Sequence, residues 1–150
     1  MMEDIKEKDL YQLTKDILKI EDIDIRTYSP LVLAYIGDGI YELIIRTIIV
    51  SKGNIPVNKM HKKSASLVKA ATQSAMMDVL MEELTQEELT MYKRGRNAKS
   101  ATSAKNASIH DYRRATGFEA LMGYLYLTGQ SDRMTRLIQT GLVGLGKDKI

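Results

Sequence analysis

The segment SPLVLAYIGDGIYELIIRTIIVS, from Ser29 to Ser51, constrains the fold more than any other part of the chain. Ser29 is a suitable N-cap, and Pro30 takes the first helical position, where its missing N–H costs no hydrogen bond. Leu31, Val32, Leu33, Tyr35, Ile36, Ile40, Leu43, Ile44, Ile45, Ile48 and Ile49 are spread around the helical wheel. A helix apolar on all sides belongs inside a domain, so this one is predicted to be buried on nearly every side. Asp38 nevertheless stands near its middle. An ionised carboxylate in such surroundings costs several kcal/mol unless it is paired or holds a metal. Glu42 follows one turn later on the same face, where like charges repel. Gly37 and Gly39 flank the aspartate, although each costs roughly 1 kcal/mol against alanine in a helix interior. Two readings of Asp38 stand: a satisfied core carboxylate, or a functional group beside which glycines let a ligand or another backbone approach. Glu42 is expected to pair with Arg46, one turn further on.

A chain of 150 residues buries roughly two-thirds of its unfolded surface. One domain is therefore expected over 1–150, with 1–28 supplying an N-terminal helix and an acidic linker. There is no cysteine, which excludes disulfides and thiolate metal sites. The beginning, MMEDIKEKDLYQLTKD, is charged and acidic, the opposite of a secretory signal. Asp38, Glu42 and Arg46 interrupt the one long apolar run, so no membrane span is expected and the cytoplasm is the expected compartment. The net charge is +3, but it is unevenly placed. Between Lys93 and Arg114 seven basic residues face a single acid, Asp111, giving that window +6 and leaving −3 on the rest. One strongly positive surface on an otherwise acidic body suits a polyanionic partner.

Helical periodicity runs throughout and no segment alternates as a strand would, so the fold class is all-α. A short helix is predicted over Leu10–Leu18, followed by the linker Glu21–Thr27. The apolar helix stops at Lys52-Gly53, with Gly53 and Asn54 supplying a left-handed cap, and Pro56 restarts the chain. One helical run is predicted from Asn58 to Glu83, its many small residues packing against the apolar helix. Thr85 opens the next helix with Glu88 three residues on, the spacing of a capping box. That helix runs toward Gly95, and RNAKSATSAKNAS reads as a loop. Two helices follow, Asp111–Leu127 and Asp132–Leu145, separated by Thr128-Gly129. Some exposed apolar surface is expected to remain for a partner subunit.

The helix RRATGFEALMGYLYLTG repeats the oddity of the first. Glu119 stands among Phe118, Ala120, Leu121, Met122, Tyr124, Leu125 and Leu127, with Gly117 and Gly123 thinning the side chains nearby. Two acids on separate apolar, glycine-bearing helices, in a chain with one basic patch, fit metal-assisted phosphodiester hydrolysis. Carboxylates hold a hard cation such as Mg²⁺ with waters completing its shell. Basic side chains hold neighbouring phosphates without reading sequence. No cysteine nucleophile, phosphate-binding glycine loop or zinc spacing is present, and His61 and His110 belong to no recognisable pair.

LAYIGDGIYEL, Leu33 to Leu43, resembles the signature of the ribonuclease III family, in which an apolar helix carries Gly-Asp. FEALMGYLYL, Phe118 to Leu127, is similar to that family's second acidic motif, and KKSASLVKAATQS to the helix joining the two. The resemblance spans essentially the whole chain. Departures are specific: Leu31 and Ala34 stand where the main branch has glutamates, Thr116 where it has an aspartate, and Val57 or Asn58 where it has another acid. With the loop KRGRNAKS and an end where the main branch would continue into a double-stranded-RNA-binding domain, the chain resembles the family's small bacterial branch.

That resemblance implies an all-α ribonuclease III-type endonuclease domain, a helical bundle acting as a homodimer. It implies Mg²⁺-dependent cleavage of double-stranded RNA, with Mn²⁺ able to substitute. It also implies maturation of the ends of the large-subunit (23S) ribosomal RNA precursor with help from a large-subunit ribosomal protein. Asp38 and Glu119 are then the expected catalytic and metal-binding residues, with waters replacing the missing acids. The expected RNA contacts are Lys93, Arg94, Arg96, Asn97, Lys99 and Lys105, with a secondary set at His61, Lys62 and Lys63. Tyr35, Tyr41, Tyr124 and Tyr126 are expected to pack rather than stack on bases, and the methionines to fill the core or a dimer interface. Loss of the accessory acids leaves a competing class, a non-catalytic RNA-binding or ribosome-assembly protein on the same fold.

Overall fold

A computed structural model describes residues 7–99 and 108–149. Among these residues there are seven α-helices and no strand: α1 Leu10–Ile17, α2 Pro30–Val50, α3 Val57–Val68, α4 Ala70–Leu80, α5 Gln86–Asn97, α6 Ile109–Leu127 and α7 Ser131–Gly144. Short 3₁₀ turns lie at Ile25–Thr27 and Met81–Glu83. The predicted punctuation is where the sequence places it. Ser29 Oγ accepts from Val32 N–H at the start of α2. Thr85 and Glu88 form both halves of a capping box on α5, and Gly53 takes a positive φ of 109° after α2.

The bundle is built around α6, which packs on α2, α4, α5 and α7. This corrects the expectation that α2 is the enclosed helix. Ten consecutive-turn residues of α6, among them Ala115, Gly117, Ala120 and Gly123, are buried; small side chains on every side let four neighbours close in. α2 buries only the face carrying Leu33, Ala34, Gly37, Tyr41, Ile45 and Ile49. Leu31, Val32, Tyr35, Leu43 and Val50 face outward, Tyr35 with 82 % of its surface exposed. Tyr41 and Tyr124 pack in the core as expected, whereas Tyr35 is not packed within a single copy.

The predicted continuous helix from Asn58 to Glu83 is two. Lys69 is extended (φ −66°, ψ 154°) and ends α3. Thr72 and Gln73 donate backbone N–H groups to the Lys69 carbonyl, and Thr72 Oγ donates to the Ser66 carbonyl at 2.6 Å. These bonds satisfy the groups that a break leaves open, with no glycine or proline to mark it. α3 then lies on α2, while α4 lies mainly on α6 and α7 and meets the apolar helix where Tyr41 Oη donates to Met76 Sδ at 3.4 Å. Met76, Met77, Met122 and Met134 are core, and Met76 fills the space that a side chain at Gly141 would need.

Candidate active site

Glycine sets the distance between the two acid-bearing helices. A methyl group built on Gly37 would overlap the Glu119 carbonyl oxygen and come within 2.8 Å of Gly123 N; one on Gly123 would overlap the Leu33 carbonyl. Gly37 faces Glu119 while Gly123 faces Leu33, so α2 and α6 run antiparallel in backbone contact. Backbones touch in this way only where Cβ atoms are missing. Asp38 and Glu119, each adjoining such a contact, are thereby brought together. Gly39 differs: nothing lies within 4 Å of the position its Cβ would take, so the space beside Asp38 is open.

Asp38 is exposed and Glu119 half-buried, a correction to the premise that both acids are enclosed; Asp38 lies on the open face of α2 and Glu119 at the wall behind it. The Glu119 carboxyl is pushed up from 4.5 to about 9, first by burial, then by a hydrogen bond and charge repulsion from Asp38. Burial and the neighbouring Asp38 carboxylate both disfavour the charged form of Glu119, because like charges side by side are costly. No third His, Cys, Asp or Glu joins them in a metal-holding group among the described residues. Thr116, one turn before Glu119, spends its hydroxyl on the Tyr112 carbonyl at 3.0 Å. Leu31 and Ala34 bring no oxygen. Glu42 pairs with Arg46 at 2.9 Å, as expected.

The basic residues fall into two groups. At the end of α5, Lys93, Asn97 and Lys99 are exposed. Arg96 lies over the Tyr92 ring at 5.7 Å and donates to Asn97 Oδ1 at 3.2 Å. Arg94 is half-buried and donates to the Tyr28 carbonyl at 3.2 Å. Lys105 lies outside the described residues. On α3, His61, Lys62 and Lys63 are exposed, and His61 borders a cleft with Arg46, Ile49 and Met60. The structure adds residues that the sequence reading did not single out. Arg96 and Asn97 share a cleft of about 330 Å³ with Ile109, His110, Arg113 and Arg114. Arg113 and Arg114 were visible only as charge in the +6 window. Arg114 is held by Asp78 at 2.5 Å.

A helical bundle in which two apolar helices cross through glycines and present one acid each defines a nuclease domain of known type. Residues 31–130 match the family model described as Ribonuclease III domain. The chain belongs to the ribonuclease III family and is an endoribonuclease. More narrowly, it is similar to the Mini-ribonuclease 3 of Clostridium tetani, 52% identical over 77% of this chain and 78% of that protein. It is 48% identical to the Mini-ribonuclease 3 of Enterococcus faecalis over 83% of this chain and 96% of that protein. Among solved structures, an X-ray structure of a Fusobacterium nucleatum protein superposes with a TM-score of 0.73 at 31% identity, covering 81% of this chain and 97% of that one. The family acts on double-stranded RNA, is generally dimeric and generally uses divalent metals. No described helix is long and apolar enough to cross a membrane.

Proposed function

We propose that this chain cuts double-stranded RNA in a Mg²⁺-dependent reaction centred on Asp38 and Glu119, and that its substrate in the cytoplasm is the 23S ribosomal RNA precursor. The observation that carries this reading is the meeting of the two carboxyls beside open space at Gly39. The donor set fits the cation: hard carboxylate oxygens suit Mg²⁺ or Mn²⁺, which keep several waters when the protein supplies one or two ligands. A dication between them would also remove the repulsion that raises Glu119. Bound there, Mg²⁺ supplies an acidified water and offsets charge on the attacked phosphate. Asp38 and Glu119 fix where the phosphate must lie, and Gly39 leaves room for the strand. Lys93, Arg96, Asn97, Lys99 and Lys105 hold flanking phosphates, with His61, Lys62 and Lys63 as a second set. Arg94 holds the Tyr28 carbonyl and steadies the base of the first set. Products are a 5′-phosphate and a 3′-hydroxyl.

The working form is a homodimer with the unit 1–150 in each subunit. A helix face carrying Leu31, Val32, Tyr35 and Leu43 in water is what a second copy covers, and Asp38 lies on the same side of α2. A large-subunit ribosomal protein presents the precursor. The test is cleavage of a structured RNA duplex by purified wild type and by Asp38→Asn, each with Mg²⁺ or EDTA. Wild type should cut only with Mg²⁺, and Asp38→Asn should bind but fall to the EDTA level. Cells lacking the chain should accumulate 23S precursor with extended ends. If wild type and Asp38→Asn both bind and neither cuts with Mg²⁺, the nuclease reading fails; if Asp38→Asn cuts like wild type, the assignment of Asp38 is wrong.

A further inference from the structure

The end of the described chain turns back onto α3, and the turn has a specific construction. Gly146 takes φ 68° after α7. Its N–H donates to the Val143 carbonyl at 2.9 Å and that of Lys147 to the Leu142 carbonyl at 2.8 Å, the paired bonds of a Schellman cap. A glycine at this position lets the chain reverse without strain. Lys147 and Lys149 are thereby placed against the last turns of α3, where they line a cleft of about 280 Å³ with Lys63, Ser66 and Leu67. Asp148, between the two lysines, borders a different cavity with Ile44, Ile138 and Leu142, so the one acid of the tail lies away from the lysines.

The surface continues along α3. Lys59, Lys62, Lys63 and Ser66 recur at helical spacing on one face, the three lysines are exposed, and α3 contains no acidic residue. None of Lys59, Lys62, Lys63, Lys147 or Lys149 takes part in an ion pair among the described residues. Ammonium groups gathered by two distant parts of the chain repel one another unless an anion lies between them. Lysines are point charges without the fork that reads a planar carboxylate; they suit a row of phosphates whose positions along the groove vary.

We infer that the tail lysines Lys147 and Lys149, with Lys59, Lys62, Lys63 and Ser66 of α3, form a phosphate-binding track for the RNA duplex, separate from the basic cleft at the end of α5. This rests on the reading of the chain as a double-stranded ribonuclease and extends it to residues outside the matched span 31–130. The track contacts phosphates only, so it contributes affinity and register rather than sequence preference.

The experiment measures duplex RNA binding in EDTA across a salt series for wild type, Lys147→Gln/Lys149→Gln, and a control with Lys8, Lys15 and Lys19 changed to Gln. The slope of log K against log salt should fall by about 2 for the tail variant, roughly one unit per lost phosphate contact. If the curves meet near 1 M salt, that slope opens a gap of up to roughly 100-fold by 0.1 M. The control should bind like wild type, and circular dichroism should show all three folded. The inference is overturned if the tail variant keeps the wild-type slope and affinity, or if the control loses as much, which would be a net-charge effect. Wild type that fails to bind duplex RNA at all would overturn the ribonuclease reading itself, and the track with it.

Discussion

Glu119→Gln should stabilise the metal-free protein while removing its activity. The carboxyl stands at about 9 in the folded chain against an ordinary 4.5, so between those values the unfolded state is ionised and the folded state is protonated. The unfolded state binds fewer protons there, and stability must fall as pH rises from about 4.5 toward 9. Each pH unit is worth about 1.4 kcal/mol for one group, which sets a ceiling of about 5 kcal/mol at pH 8. Glu119 is half-buried rather than enclosed, so water screens part of this and about 1–3 kcal/mol is expected. Glutamine keeps the shape, donates to Asp38 and does not titrate. Urea unfolding in EDTA at about pH 4.5, 6 and 8, at one fixed protein concentration because any self-association couples to it, should show the two proteins alike at low pH. The variant should be more stable at pH 8. Added Mg²⁺ should close the gap from the wild-type side. A gap that is absent, or equal at every pH, would refute the claim that repulsion and burial strain this pair.

Further outcomes follow from the packing. Gly37→Ala should destabilise by about 3 kcal/mol or more, because the methyl meets backbone that cannot move aside. Gly39→Ala, two residues on, should stabilise an isolated subunit by up to about 1 kcal/mol; thermal melts of the pair separate the two roles. Glu88 is 3% exposed and takes two 2.9 Å bonds from Arg133 besides the Thr85 N–H. Glu88→Ala should cost about 3 kcal/mol in urea unfolding, since it strands a partly buried guanidinium. The Glu88 carboxyl is held below its usual value, chiefly by Arg133, so its contribution is present at neutral pH and is lost as pH falls through that lowered value. Tyr35→Ser should shift the sedimentation equilibrium toward monomer without lowering the subunit's helix content.

Signals that act locally were legible in the chain. Ser29-Pro30, Thr85 with Glu88, and Gly53 each announce a helix end through groups only a few residues apart. The two acids were singled out through a premise that was half right. An acid in an apolar glycine-bearing helix is unusual whether that helix is enclosed or merely half-covered, and sequence cannot tell the two apart. An apolar face left exposed on a single copy reads the same as one facing the core, which is why α2 looked enclosed on nearly every side. Gly37 was readable as a close approach, but its partner, the Glu119 backbone, was not. The break at Lys69 depends on the Ser66 carbonyl and on where α4 must lie to reach α6 and α7. The juxtaposition of Lys147 and Lys149 with Lys63 depends on a turn more than 80 residues away along the chain.

In the proposed mechanism Asp38 and Glu119 together hold the catalytic cation. Anomalous diffraction from crystals of the protein grown with Mn²⁺ tests this. A peak is expected between the two carboxyls of each copy, lost in Asp38→Asn. An ordered peak elsewhere, or a peak that survives in Asp38→Asn, would contradict it.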